Sequence, residues 1–157
     1  MRKTTIAPAE QKTAPRDEDW LNLENLVDVE ITSENAAHPI ESALLRSSSS
    51  GWRAAVPGKQ TMRLRFAEPQ PLRRISLSFV EPVSERTQEY VLRWSPDGGQ
   101  SYREIVRQQW NFSPRGTTSE TEDHYVELPA VTVLEMSIVP DISGREAFAS
   151  LAQFRLA

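Results

Sequence analysis

Arg53, Glu81, Arg86, Trp110, Asn111 and Arg115 are the residues whose types could do recognition chemistry if the fold gathers them. A guanidinium donates in a planar fork that matches paired hydroxyls or a carboxylate, and a carboxylate accepts from hydroxyls. An aromatic ring covers an apolar C–H face. This combination suits a polar ligand with apolar faces, such as a carbohydrate. It also suits a protein partner, because Trp and Arg dominate interface hot spots. The same stretches carry His38, Arg46, Trp52, Lys59, Glu85, Phe112, His124, Asp141 and Arg145.

Catalysis leaves no comparable trace. There is no nucleophile elbow, phosphate-binding glycine loop or metal-ligand spacing. His38 and His124 lie far apart in sequence and make a weak case for a metal or a catalytic base. Glu120, Glu122 and Asp123 could hold calcium, but they lack the glycine-pinned loop of a dedicated site and read as a solvated loop. The expectation is a binding module rather than an enzyme, with no cofactor and no metal.

The elements that must position these residues are strands. In the stretch from Gln88 to Gln109, Tyr90, Leu92 and Trp94 alternate with Glu89, Val91 and Arg93. The chain then folds back through Pro96-Asp97-Gly98-Gly99, where glycine accepts the positive φ that a tight hairpin needs. Further strands are predicted at Leu26–Ile31, Thr61–Phe66, Ile75–Phe79, Tyr125–Leu128, Val131–Val139 and Phe148–Leu156. Glu68–Pro71 and Pro129–Ala130 read as breaks between them, and His38–Leu45 as a short helical turn with Pro39 near its start. Eight short strands with regular breakers predict an antiparallel jelly-roll β-sandwich.

If successive strands run antiparallel, their connections alternate between two ends. The links at 67–71, 96–100 and 129–130 then share one end and are tight. Those at 34–59, 80–86, 109–122 and 140–147 share the other end, and all but one are long. Long loops in a compact domain are more often functional or disordered, and this end is the candidate site. Within them Trp52 reads as a core plug, and Trp110 is balanced between surface and core.

Composition bounds the rest. The chain has 157 residues, enough for one core, and residues 1–24 are polar and read as a flexible tail whose Trp20 and Leu21 dock on the domain or on a partner. A net charge of −4 does not favour nucleic acid or anionic lipid, and no apolar run approaches a membrane span. There are no cysteines, which suits a reducing compartment, and a cytoplasmic location is expected. Fifteen of the 18 basic residues are Arg, and Arg63, Arg65, Arg74 and Arg93 fall on outward strand positions. They could form a stripe for phosphate, but interleaved Glu89 and Glu104 favour a salt-bridged solvent face.

The order of several short motifs resembles discoidin-type (coagulation-factor C) domains of the galactose-binding-like class. These are Ser33-Glu34 after the first strand, Ala43, Gly51-Trp52-Arg53-Ala54, Gln60 to Phe66, and Trp94-Ser95-Pro96-Asp97-Gly98-Gly99. The likeness covers Leu26 to Ala157. Leu44-Leu45-Arg46 stands where many members place Asp-Gly beside a structural calcium, and the usual disulfide has no cysteines to form it. The run ALLRSSSSGWRAA looks like an intracellular DNA-repair-scaffold branch of the class, which binds a polymerase and broken DNA. The resemblance implies a non-catalytic recognition module. It leaves the ligand open, because one fold hosts many binding functions.

Overall fold

A computed structural model describes residues 19–45 and 50–157. In chain order the elements are β1 (Val27–Ile31), α1 (Glu41–Leu44), β2 (Trp52–Arg53), β3 (Gln60–Val80), β4 (Arg86–Ser95), β5 (Arg103–Phe112), β6 (Ser119–Val139), β7 (Ser150–Leu151) and β8 (Gln153–Leu156). All strand pairings are antiparallel.

Two strands of 21 residues, β3 and β6, organise the fold. They pair with each other from Gln60↔Ile138 through to Val80↔Ser119. The first part of β3 also pairs with β1, and its last part with β8. The last part of β6 also pairs with β4, which pairs with β5. One layer is therefore β1-β3-β6-β4-β5, and the other is β8-β3-β6. A separate ribbon of β2 and β7 closes one side.

The expected breaks at Glu68–Pro71 and Pro129–Ala130 are not turns. Both strands continue through them, and the ladder instead slips between Arg65 and Gln70, Gln70 and Leu72, and Leu72 and Arg74. Bulges tolerate the prolines, which cannot donate to a ladder, and bend the ribbon so that its ends face each other across the core. The inward phase changes at the same place. Gln60, Met62, Leu64 and Phe66 are buried before it, and Ile75, Leu77 and Phe79 after it. The predicted loop over Asn111–Glu122 is also shorter, since β5 runs to Phe112 and β6 begins at Ser119.

The core joins both layers. Phe79 stacks on Tyr90 at 5.3 Å between ring centroids, and Leu92, Leu134, Met136, Phe112, Phe154 and Leu156 are fully buried. Burying each such side chain stabilises the fold by roughly 1.5–3 kcal/mol. Leu21 N donates to Leu156 O at 2.8 Å, Leu23 is buried, and Trp20 and Tyr125 each lie 5.2 Å from the Arg74 guanidinium. Of the two alternatives for Trp20 and Leu21, the segment takes docking on the domain. The rest of the expected tail, residues 1–18, lies outside the described residues.

The β4–β5 hairpin forms where expected. Asp97 accepts from the Ser101 side chain, from Ser95 Oγ at 2.7 Å and from Ser101 N at 2.9 Å, and these bonds pull its pKa down to about 2. Gly98 and Gly99 have φ of 74° and 95°. At Gly98 a Cβ would meet nothing, whereas at Gly99 it would come within 3.0 Å of the Tyr102 hydroxyl. Gly98→Ala is therefore expected to cost about 1 kcal/mol from backbone strain alone, and Gly99→Ala measurably more. Urea denaturation of the two variants would show equal costs if this reading of the turn is wrong.

Candidate functional site

The links at 81–85, 113–118 and 140–149 meet at one pole, and backbone bonds tie the first two to each other and the third to β4. Glu81 N donates to Thr118 O at 2.7 Å, and Ile142 N donates to Thr87 O at 2.9 Å. Arg86 is the pin among them. Its Nε donates to Glu81 Oε1 at 2.9 Å, and its Nη1 donates to Pro140 O at 2.8 Å and Gln88 Oε1 at 3.3 Å. Its guanidinium carbon lies 5.0 Å from the Phe112 ring centroid. The Arg86 side chain is only 1% exposed. Arg86 therefore holds the pole from inside, and its expected role as a ligand contact is corrected.

A cavity of about 440 Å³ opens beside this pin, between the β2–β7 ribbon and the 81–85 loop. Its walls include Trp52, Val80, Val83, Leu151 and Ala152, and its charged or titratable lining residues are His38, Arg53 and Glu81. Trp52 is buried, as expected for a plug, with Nε1 donating to Ser33 O at 3.1 Å. Its packing fixes β2, so the next side chain, Arg53, points outward. Arg53 is also held by its backbone: its N donates to His38 O at 3.1 Å, and its O accepts from Asn35 N at 2.8 Å. Gly51, with φ of 73°, lets the chain pass close to β7, since a Cβ there would sit 2.9 Å from Leu151 O.

Trp110 and Asn111 line a different cavity, of about 340 Å³, with Thr87, Gln109 and Thr117. Thr87 Oγ1 donates to Asn111 Oδ1. Arg115 is exposed on the 113–118 turn and lines neither cavity. The six expected contacts thus separate into Arg53 and Glu81 in one cavity, Trp110 and Asn111 in another, Arg86 buried and in neither lining, and Arg115 outside. His38, Thr87, Gln109 and Thr117 join the lining. His38 stood among the residues of the long links in the sequence, and nothing local in the sequence marks the other three.

The acidic cluster is not a solvated loop. Glu120 and Glu122 project inward from β6, while Asp123 on the other face pairs with Arg74 at 3.0 Å. Burial and a hydrogen bond to Glu122 push Glu120 up to about 8, so it keeps its proton at neutral pH. Tyr90 OH lies 2.8 Å from His124 Nε2, and burial lowers the His124 pKa and raises that of Tyr90. No group of His, Asp and Glu suited to a metal ion occurs among the described residues.

The arginine stripe is paired. Across the five-stranded layer, Glu30, Arg63, Glu135, Arg93 and Glu104 stand in one row of alternating charge. Glu135 receives Arg63 Nε at 2.8 Å and Arg93 Nη2 at 2.5 Å, and Arg65 and Arg107 bond to Glu30 and Glu89. Arg74 lies on the outer face of the other layer but is covered by Trp20 and Tyr125. The salt-bridged face is the arrangement present, and it leaves few of these charges for phosphate.

No family model matches the chain, and no curated protein matches it. Solved structures do. A family 32 carbohydrate-binding module of NanJ from Clostridium perfringens, in complex with galactose, matches with a TM-score of 0.61 at 13% identity, covering 83% of this chain and 92% of that one. A CBM32 module of C. perfringens in complex with GalNAc-β-1,3-galactose matches at 0.58 and 17% identity, covering 87% and 98%. The CBM32 of AlyQ, in complex with 4,5-unsaturated mannuronic acid, matches at 0.60 and 13% identity, covering 85% and 95%. The fold is an antiparallel jelly-roll β-sandwich like that of these carbohydrate-binding modules. The finer resemblance to the repair-scaffold branch draws no support from these structures.

Proposed function

We propose that this chain is a non-catalytic carbohydrate-recognition module whose ligand enters the cavity beside β2. The observation that carries the reading is the convergence of Arg53, His38 and Glu81 around one open cavity with apolar walls. Hydroxyls need donors and acceptors side by side, and a pyranose needs an apolar surface for its C–H face. Here aliphatic groups supply that surface, because Trp52 is buried beneath it. The likeness in fold to modules solved with sugars supports the class of ligand without naming it.

A protein partner is the second reading. Val80 and Val83, exposed by 49% and 78%, stand on the cavity wall and would suit one. The paired arginines weaken the nucleic-acid alternative.

A glycan array followed by calorimetry on the hits tests the proposal. Ser84→Trp fills the cavity from an exposed position and is expected to abolish binding, whereas Asn111→Ala in the other cavity leaves it intact. A chain that binds no glycan, or one that loses binding through Asn111→Ala alone, would overturn the assignment.

A further inference from the structure

We infer that the sugar taken by this cavity is acidic: Arg53 selects a uronate over its neutral counterpart. The inference rests on reading the cavity as a sugar site, and it concerns the charge that the ligand must carry.

The charges of the lining residues do not cancel. The charge of Glu81 is already matched, since Oε1 accepts from Arg86 Nε at 2.9 Å, and Oε2 also accepts from Val83 N at 3.3 Å. Arg86 is a buried permanent cation, so the pair adds no net charge to the cavity wall. Arg53 is exposed and has no carboxylate within salt-bridge distance among the described residues, unlike Arg63, Arg65, Arg74, Arg86, Arg93 and Arg107. The cavity therefore carries one uncompensated positive charge, set in a chain whose net charge is −4. Preference for an anion cannot come from the overall field and must be local.

The cation is also preorganised. Both backbone edges of Arg53 are bonded, and its guanidinium rests 5.7 Å from the Phe148 ring centroid. A cation–π contact occupies none of the N–H donors, and the guanidinium fork fits a carboxylate in two parallel hydrogen bonds. His38 complements it. His38 Nδ1 lies 3.3 Å from Ser50 O, which can only accept, so Nδ1 is the donor in that bond and Nε2 is the ring nitrogen left to meet a ligand. A ligand with one carboxylate beside hydroxyls meets the Arg53 cation and the His38 ring in one cavity. A neutral sugar leaves the Arg53 charge unanswered.

The test titrates the full chain at low salt with galacturonate and mannuronate oligomers, and with galactose and mannose oligomers of the same lengths. At least one acidic oligomer is expected to bind about tenfold or more tightly than its neutral counterpart, as a charge-assisted bond allows. Arg53→Ala should erase that preference, Arg53→Lys should keep part of it, and Arg115→Ala, outside the cavity, should keep it all. Unchanged thermal melts confirm that the variants fold. Equal affinity for acidic and neutral oligomers overturns the uronate inference and leaves the sugar site standing. A preference that survives Arg53→Ala also overturns it. No binding of any oligomer overturns the sugar site itself.

Discussion

Arg86→Ala is expected to lower the melting temperature by roughly 6–12 °C and to abolish glycan binding, although the Arg86 side chain is buried. Removing one partner of a buried pair leaves the other uncompensated, at a cost of about 3 kcal/mol or more. Each kcal/mol shifts the melting temperature of a domain of this size by about 2–4 °C. The residue joins Glu81 of one loop, Pro140 of another, Gln88 of its own strand and the Phe112 ring. Without it, Pro140 O loses its donor, and Glu81 keeps only the bond from Val83 N. The 81–85 wall of the cavity then moves freely, so binding fails even at temperatures where the domain is folded. Glu81→Gln can still accept from Arg86 and is expected to cost less. Differential scanning calorimetry on the variants decides the point: a melt for Arg86→Ala within about 1 °C of the parent would remove the pin from the account.

This internal role was hidden in the sequence. Arg86 follows Glu85 in a stretch of polar residues, and no local signal separates a buried arginine from a solvated one. What distinguishes them is the partner at Pro140, 54 positions away. The alternation of Tyr90, Leu92 and Trp94 was legible because one face meets the core and the other meets solvent. The same holds for Leu134, Met136 and Ile138. The two long strands were not, because Pro69, Pro71 and Pro129 carry the chemistry of turns. The change of inward phase from Phe66 to Ile75 marked an irregularity there, but a bulge and a reversal disturb periodicity alike. The grouping of loops at one pole survived the error, because a ribbon that bends over its own face returns its ends as two hairpins would. The division into two cavities rests on residues far apart in sequence, His38, Arg53 and Glu81 lining one and Thr87, Trp110, Asn111 and Thr117 the other.

Glu120 gives the domain a second test, through pH. Its carboxyl is buried on the inner face of β6 beside Glu122, with His124 and Tyr90 also facing that region, and it is pushed up to about 8. In the unfolded chain the same group titrates in the ordinary carboxylate range. Between that range and pH 8 the folded state binds more protons than the unfolded one, so stability falls as pH rises through the window. Below the window both states are protonated and the group contributes nothing. Above it the cost is constant. His124 acts in the opposite sense: its pKa is lowered by burial, so its protonation costs stability as pH falls through the ordinary histidine range. A simple pH profile would mix the two, and a difference measurement separates them. Glu120→Gln keeps a donor toward Glu122 and cannot ionise. Its stability relative to the parent, from urea denaturation, is expected to climb from pH 5 to pH 8 and level off near pH 9 at a gain of about 1–3 kcal/mol. Parallel stability curves for the two proteins across that range would mean that Glu120 ionises inside the fold without penalty, and that the inner face of β6 is open to water.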